Sequence, residues 1–494
     1  MAARRNRTKT RKRRGASHPN ERDVATSIPT AFLERLAADV GPDRAKAMQQ
    51  AIEVRTNRRA LRLNPSRLDR SAAETHLGVP LTPVPFNPLA YWLPQDAPPG
   101  VGRSPLHAGG GFYMQDAAAT AVAPFVDPQP GEWVIDLAAA PGGKASELAA
   151  RMDGRGVLVA NDVSAQRAQA LHENLERLGA RNAVITQAAP AELARRWGGR
   201  FHAVLLDAPC SGEGMFGKSD IARQEWSEDA VATCAVRQDD LLDAAFALLA
   251  PGGRLIYATC TLNRDENEGA IERLLKRQPD ATPVNLERTS GMEPGVLASR
   301  QDVRNASGRI WPDASFGEGH FVACLKRTGA QAGAFTADRR ETPPMLASTE
   351  GMPSPLTLLS EVLEPHVVDA LTPNLRIQGR SVWALPAPEL PLDGLHVLAP
   401  GWRLADLTHG RWSPAHALAM GVMVHEVRVS VAITDATAAA RFLRGEELDV
   451  GDAEGAEPRD SAWVWVTYQD VPLGWARQRG HRLRNLRPKR LRVS

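Results

Sequence analysis

Two cysteines stand just beyond apolar runs of the chain, where a thiol would be well placed for catalysis. Ala203–Leu206 leads into Asp207-Ala-Pro-Cys210 and a glycine-rich segment, and Gly253–Thr259 leads directly into Cys260. Such apolar runs are typical of buried parallel strands, and ligands of parallel sheets bind beyond the carboxyl ends of the strands. We therefore expect Asp207 and the two thiols to lie together at one edge of a sheet.

A third strand end carries a turn that suits a nucleotide-like cofactor. Trp133–Asp136 predicts a strand, and the next residues, Leu137–Lys144, are mostly small, which lets a ligand approach the backbone. Asp162 ends the following strand, where a carboxylate can accept hydrogen bonds from ribose hydroxyls. A dinucleotide oxidoreductase fits these two features equally well. The two thiols favour S-adenosylmethionine as the cofactor instead.

Strands and helices alternate from Gly131 to about residue 328, which predicts an α/β domain with a doubly wound parallel sheet. The strands are expected at Trp133–Asp136, Val157–Asp162, Ala183–Thr186, Ala203–Leu206 and Gly253–Cys260, with a last strand within Gly317–Leu325. Helices are expected over Lys144–Met152, Gln166–Leu178 and from the capping Ser227 to Leu249. Cys234, on that long helix, and Cys324, on the last strand, are interpreted as core residues.

The composition is that of a globular protein, with 43% hydrophobic and 24% charged residues among 494. No run of 18 apolar residues predicts a membrane span, and the first residues lack the apolar core of a signal peptide. Four cysteines at irregular spacing predict neither a disulfide framework nor a zinc site. We therefore expect free thiols, no metal and a cytoplasmic location.

Basic residues are concentrated at the two ends of the chain. Residues 1–14 and residues 477–494 each contain eight Lys or Arg and no acid, so the rest of the chain is more acidic than basic. Clusters of this kind neutralise phosphates in nucleic-acid-binding proteins. We interpret both ends as basic arms on a mildly acidic body, with an RNA as the expected partner.

Several segments together resemble the motifs of Sun-type RNA cytosine C5-methyltransferases. The matching segments are Asp136–Lys144, Asp207–Phe216, Thr259–Thr261, Glu266–Glu268, Gly111–Asp116, Trp311-Pro312 and Gly317–Phe321. Pro472–Trp475, Asn485 and Pro488-Lys489 are similar to the PUA-like extension of the RsmF-like branch, which acts on 16S rRNA of the small ribosomal subunit. The resemblance covers residues 28–328 strongly and 356–494 less so.

The resemblance implies a role for each residue near the two thiols. Cys260 would add to carbon 6 of cytosine, which makes carbon 5 nucleophilic enough to accept a methyl group. Asp207 would hydrogen-bond the base, Cys210 would assist loss of the carbon-5 proton and release of the RNA, and Lys144 would favour the anionic groups. S-adenosylmethionine would bind to Ala138, Ala139, Ala140, Pro141, Gly142, Gly143, Lys144, Asp162 and Asp207.

Composition and periodicity, together with the resemblance, divide the chain into segments. These are a disordered basic arm (1–26), an N-terminal RNA-binding domain (27–125), a Rossmann-like methyltransferase domain (126–328), a linker (329–355) and an α+β PUA-like domain (356–494). We expect a helix over Leu356–Leu371 in the last of these. Two positions depart from the family: Ala138 replaces a frequent cysteine, and Gln187–Pro190 lacks an acid expected near the adenine, which predicts weaker or backbone-based adenine contacts.

Other functions fit parts of this pattern. Transfer RNA is an alternative substrate, because only the C-terminal resemblance favours 16S rRNA. Methylation of an amino group is a second alternative, although that chemistry needs no thiol. A ribosome-assembly RNA-binding protein with a silent site is a third, although every expected catalytic residue is present. We expect a monomer.

Overall fold

The computed structural model describes residues 27–54, 59–314, 318–329, 354–453 and 459–492. The predicted arm 1–26 and residues 330–353 of the predicted linker lie outside these ranges. Within the described ranges no helix is both long and apolar enough to cross a bilayer. The same ranges contain no group of three His, Cys, Asp or Glu side chains arranged to hold a metal ion.

The N-terminal unit combines a small sheet with short helices. Its helices are α1 (Thr30–Val40), α2 (Pro42–Glu53), α3 (Arg70–Leu77) and α4 (Pro105–Ala108), and its strands are β1 (Ala60–Leu63), β2 (Thr82–Pro83), β3 (Ala90–Trp92) and β4 (Phe112–Met114). The strand order is β2-β3-β1-β4. Gly41, at φ 86°, separates α1 from α2, and Phe32 of α1 packs edge-on against Phe216, with ring centroids 4.9 Å apart.

The central unit contains the expected doubly wound sheet. Its strands are β5 (Trp133–Asp136), β6 (Val157–Asn161), β7 (Ala183–Gln187), β8 (Phe201–Asp207), β9 (Leu249–Thr259), β10 (Ala281–Pro283), β11 (Glu293–Pro294), β12 (Ser307–Ile310) and β13 (His320–Arg327). Its helices are α5 (Val122–Val126), α6 (Gly143–Arg151), α7 (Ala165–Arg177), α8 (Pro190–Trp197), α9 (Asp220–Glu225), α10 (Glu228–Leu248), α11 (Glu268–Arg277) and α12 (Gln301–Asn305). The parallel strands run in the order β9-β8-β5-β6-β7, and β13, β12 and β11 continue the sheet in antiparallel fashion beyond β9.

Successive residues of the central strands are buried on opposite faces of this sheet. Ile135 and Leu206 pack in one core with Leu242 of α10, while Val134 belongs to a second core with Leu148 of α6. Strands covered by helices on both faces need apolar residues at nearly every position. This requirement explains why the apolar runs predicted the strands well.

The C-terminal part forms two sheets and also extends the central one. Its helices are α13 (Pro355–Val362), α14 (Pro365–Leu371), α15 (His416–Gly421) and α16 (Ala436–Arg444), and its strands are β14 (Leu375–Gln378), β15 (Ser381–Ala384), β16 (His396–Ala399), β17 (Trp402–Thr408), β18 (Arg411–Pro414), β19 (Ser430–Ile433), β20 (Leu448–Asp449), β21 (Arg459–Tyr468), β22 (Val471–Gly480) and β23 (Arg482–Asn485). One sheet has the order β14-β15-β17-β18 and the other β19-β21-β22-β23-β20. Strand β16 pairs antiparallel with β7 at the edge of the central sheet.

Two sequence-based expectations for this part are wrong in detail. The single helix expected over Leu356–Leu371 is interrupted at Leu363 and Glu364, because Pro365 cannot continue the hydrogen bonding of a preceding helix. The basic run 477–494 was expected to be an arm, but its described residues, 477–492, are part of the folded domain. Its first residues form the end of β22 and all of β23.

Candidate active site

The sheet brings the two thiols together as expected. Strands β8 and β9 are parallel neighbours with Asp207 level with Ala258, so the loops that follow them leave the same edge. The sulfur atoms of Cys210 and Cys260 lie 3.3 Å apart. The contact with Cys260, together with burial, raises the pKa of Cys210 well above the ordinary value of a thiol. Cys210 therefore keeps its proton at neutral pH and can donate it toward the sulfur of Cys260.

A lysine and a carboxylate complete the group. Lys144, in the first turn of α6, donates from Nζ to Oδ2 of Asp207 at 2.7 Å. Burial lowers the pKa of Lys144, but attraction to Asp207, Asp136 and Cys260 outweighs it and raises the pKa above its usual value. A permanently charged ammonium group beside a sulfur atom stabilises the thiolate form. The four residues Lys144, Asp207, Cys210 and Cys260 thus form one cluster.

The turn between β5 and α6 lies beside this cluster, and its backbone is held by the neighbouring strand. Asn161, which is fully buried at the end of β6, donates to the carbonyl groups of Leu137 and Ala188. Its side-chain oxygen accepts from the N–H of Ala188. One side chain therefore ties together the loops that follow three adjacent strands, and the sequence analysis did not single it out.

The N-terminal unit supports the same turn from the other side. Arg62 of β1 is buried and donates to the carbonyl of Gly143 at 3.0 Å and to the hydroxyl of Ser146 at 2.7 Å. A Cβ atom on Gly143 would lie only 3.1 Å from the ring of Tyr113. A larger residue here would force Tyr113 to shift, because the N-terminal unit packs directly on the start of α6.

The polar groups around the turn fit S-adenosylmethionine. Asp136 is 1% exposed, and neither of its carboxyl oxygens has a well-formed hydrogen bond. Asp162 accepts from the N–H of Ser164 with one oxygen; its other oxygen has no hydrogen bond, although the Arg167 guanidinium lies 3.2 Å away. The site thus offers unused acceptors to a ligand that brings donors. S-adenosylmethionine carries an ammonium group, two ribose hydroxyls and a positive sulfonium, so the residues present suit it.

Two buried glutamates lock the thiol-bearing loops to each other. Glu213, in the loop after β8, accepts hydrogen bonds from the hydroxyl of Thr261 and from the N–H groups of Leu262 and Asn263, at 2.8 to 2.9 Å. Its other oxygen accepts from the indole N–H of Trp226. The loop after β9 is therefore held by a carboxylate from the loop after β8.

The second glutamate makes the reciprocal connection. Glu266, in the loop after β9, accepts from the N–H and the hydroxyl of Ser211 and from the amides of Gln238 and Asn263. Burial raises the pKa of Glu266, while these hydrogen bonds oppose the rise. Because Ser211 follows Cys210 directly, the glutamate fixes the position of that thiol.

A close backbone contact joins the same loops to the start of β13. The N–H of Gly214 donates to the carbonyl of Cys260, and the N–H of Gly319 donates to the carbonyl of Gly214. A Cβ atom on Gly214 would lie 2.5 Å from the Gly319 carbonyl oxygen. Only glycine fits where these three segments meet.

The predicted residues fall into two adjacent groups. Asp207, Cys210, Cys260 and Lys144 surround the thiol pair, while Ala138–Gly143 and Asp162 form the neighbouring turn region. Cys234 and Cys324 were both expected in the core. Cys324, half-buried on β13, packs against the core that contains Leu148, whereas Cys234 is only half-buried on α10 and is not a core residue. The sequence analysis missed the roles of Asp136, Asn161, Glu213 and Glu266. An acid at a strand end was the available signal for Asp136, but the other three depend on contacts between distant segments.

Comparison with known proteins gives consistent matches along the chain. The family model described as 16S rRNA methyltransferase RsmB/F matches residues 123–326. Models of the N-terminal domain of 16S rRNA methyltransferase RsmF, the first C-terminal domain of RsmF and the RsmF PUA domain match residues 28–117, 361–422 and 430–493.

Similar proteins agree with these models. Ribosomal RNA small subunit methyltransferase F of Serratia proteamaculans is 31% identical over 485 residues, covering 94% of this chain and 96% of that protein. The protein of the same name from Cronobacter sakazakii is 32% identical over 500 residues, with the same coverage. A crystal structure of a methyltransferase homologue from Pyrococcus horikoshii has a TM-score of 0.54 and 29% identity, covering 60% of this chain and 94% of that one.

The buried carboxyl of Asp136 generates a prediction on stability. Burial, followed by repulsion from Asp207, raises the pKa of Asp136 from 3.8 to about 7. Between these values the folded protein holds a proton that the unfolded chain has released, so stability falls as the pH rises from about 4 to 7, by up to about 4 kcal/mol. Asp136→Asn has no such proton, and its urea-unfolding midpoint should decline less than that of the wild type across this range.

The matched control is Asp153→Asn, which changes a side chain that is 79% exposed. This control should follow the wild-type dependence on pH. Parallel curves for the wild type and Asp136→Asn would contradict the assignment of a protonated Asp136.

Proposed function

Because the chain belongs to the RsmF family of 16S rRNA methyltransferases, we propose that it methylates carbon 5 of a cytosine in 16S rRNA through a covalent adduct between Cys260 and carbon 6. S-adenosylmethionine is the cofactor. The observation that carries the proposal is the pair of thiols 3.3 Å apart beside the Lys144–Asp207 ion pair. Methylation of an amino group needs no such pair.

Each residue of the cluster has a place in this reaction. The Cys260 thiolate, stabilised by Lys144, adds to carbon 6 of a cytosine that has left its base stack. As the bond from sulfur to carbon 6 forms, the π electron pair of the carbon 5–carbon 6 double bond moves to carbon 5. Asp207 holds the base in place by a hydrogen bond to the pyrimidine edge. When bound, S-adenosylmethionine supplies an electrophilic methyl group to that carbon.

Release of the product reverses the addition. The carbon-5 proton leaves to a base, its electron pair restores the carbon 5–carbon 6 double bond, and the bond from carbon 6 to Cys260 breaks. Cys210 suits the role of base. Once Cys260 is bound to carbon 6, the contact that raises the pKa of Cys210 is lost, so Cys210 can release its own proton to solvent and then accept the proton from carbon 5. Its sulfur is adjacent to that of Cys260.

A basic face on the hairpin of β22 and β23 supports RNA binding by the C-terminal part. Arg477 lies opposite Arg484, and Arg479 lies opposite Arg482. Gln478 and Leu483, which alternate with the arginines, are buried, so all four arginines share the other face. We call these four residues the arginine face.

Three of the four arginines on this face have no acidic partner among the residues that the structure describes. Like charges directly opposite each other destabilise a sheet, and none of Arg479, Arg482 and Arg484 forms an ion pair with a described carboxylate. Arg477 lies over the ring of Trp463 at 4.6 Å. Phosphate groups would relieve this repulsion, and an aromatic ring offers stacking to an unpaired base.

A cytoplasmic, monomeric enzyme remains our prediction.

Bisulfite sequencing of total RNA from cells with and without the gene tests the substrate. We expect one or a few 5-methylcytosines in 16S rRNA to be lost without the gene and restored by a plasmid copy. Loss confined to transfer RNA would instead favour the transfer-RNA alternative. Unchanged methylation in every RNA would overturn the proposal in favour of a silent assembly factor.

Replacement of each thiol should give a different defect. Cys260→Ala should form no covalent complex with substrate RNA, because no thiol remains to attack carbon 6. Cys210→Ala should form the complex but release it slowly, so that protein and RNA migrate together on a denaturing gel. Both variants should lose at least 100-fold in methylation rate.

Cys324→Ala is the matched control, since Cys324 lies on β13 away from the thiol pair. It should methylate RNA at nearly the wild-type rate without accumulating a complex. An adduct in Cys260→Ala would refute the assignment of the nucleophile.

Replacement of Arg482 and Arg484 by alanine should weaken RNA binding. Each lost phosphate contact reduces the slope of log K against log salt by about 0.7 to 0.9, so the double variant should lose about 1.5 from the slope. Binding titrations at several salt concentrations measure this value. The double variant Arg195→Ala/Arg411→Ala removes two exposed arginines from elsewhere and should leave the slope unchanged; an equal decrease in both would argue against a specific arginine face.

A further inference from the structure

His320 lies at the candidate base-binding site but has no role in the reaction described above. It is the first residue of β13, next to Phe321, which pairs with Thr259 just before Cys260. Its side chain is 5% exposed. The Nε2 atom lies 3.9 Å from Oδ1 of Asp207, the oxygen that Lys144 does not occupy.

The Nε2 atom of His320 is a buried polar atom without a hydrogen-bond partner among the described residues. A buried nitrogen of this kind is unusual in a folded protein, and a ligand is one explanation for it. The gap of 3.9 Å to Asp207 is too long for a direct hydrogen bond. A single nitrogen placed to one side of this gap could lie within hydrogen-bond distance of both atoms.

The groups around His320 determine the protonation state of its imidazole ring. Burial, followed by repulsion from Lys144, lowers the pKa of His320 to about 4, although Asp207, Asp116 and a hydrogen bond to the Gly319 backbone oppose the decrease. The ring is therefore neutral at physiological pH. We assign the ring proton to Nδ1, because a hydrogen bond with the Gly319 backbone contributes to the pKa and Nε2 has no partner among the described residues.

A neutral imidazole with its proton on Nδ1 has a lone pair on Nε2 and can only accept there. Asp207, when ionised, is likewise only an acceptor. Two acceptors that face each other across a gap match a group with two donor hydrogens. The exocyclic amino group of cytosine is such a group, whereas uracil has a carbonyl oxygen at the same position.

We propose that His320 is a base-recognition residue, which accepts a hydrogen bond from the exocyclic amino group of the target cytosine while Asp207 accepts the other. The inference rests on the proposed function and adds to it a reason for the choice of cytosine over uracil. A site built to pair a donor of its substrate rejects an analogue without that donor, because the acceptor is then left buried and unpaired.

The test compares two RNAs that differ only at the target base. One contains cytidine, and the other contains zebularine, the ribonucleoside whose pyrimidine lacks the amino group. The measured quantity is the rate of covalent complex formation with full-length protein in which Cys260 is intact. His320→Phe keeps a ring of similar size without the acceptor, and His320→Gln keeps an acceptor oxygen.

We expect His320→Phe to slow the reaction with cytidine about 10- to 100-fold and to leave the reaction with zebularine within about threefold of wild type, as expected for a lost hydrogen bond to one group. With the RNA that contains cytidine, His320→Gln should react faster than His320→Phe but more slowly than wild type. With the RNA that contains zebularine, the two variants should not differ. Equal slowing with both RNAs, or no change with either, would overturn the role of His320. No adduct between wild-type protein and either RNA would instead overturn the proposed function, and this inference with it.

Discussion

The carboxylates of Glu213 and Glu266 hold the thiol-bearing loops together, and the geometry of the site depends on them. A loop that leaves a sheet has backbone N–H groups that no strand can satisfy, and burying such groups unpaired is costly. Glu213 satisfies two of them in the loop after β9, and Glu266 satisfies one in the loop after β8. Each carboxylate receives four hydrogen bonds, which offsets the cost of its own burial.

The order of the strands determines which catalytic side chains meet at one edge of the sheet. Because β8 lies between β5 and β9, the turn before α6 and the two thiol loops meet at one edge. Strand β13 runs antiparallel to β9, so its first residue, His320, arrives at that same edge. At the start of α11, buried Glu268 pairs with Arg309 of β12, which also donates to the carbonyl of Leu262, so β12 is fixed against the segment that follows Cys260. One sheet thus gathers groups from distant parts of the chain.

The sequence predicted the parts of this arrangement that depend on local patterns. Buried parallel strands require continuous apolar runs, and Trp133–Asp136 is predicted with its observed bounds. The partners of Glu213 and Asn161 could not be predicted, because they depend on which loops become neighbours after folding. The arginine face was also visible in a local sequence pattern, because Gln478 and Leu483 alternate with arginines at the period of a strand. The high charge of residues 477–494 led instead to the interpretation of this segment as an arm.

The charges in the pocket suggest how its two ligands affect each other. At neutral pH Cys210 and His320 are uncharged, and Lys144 is paired with Asp207. Asp136 is close to half-protonated, because its pKa is about 7. A cation bound beside Asp136 would favour its ionised form, so a positively charged cofactor held there would displace a proton. Methyl transfer would remove the sulfonium charge from the cofactor, and with it any attraction between that charge and the Asp136 carboxyl group.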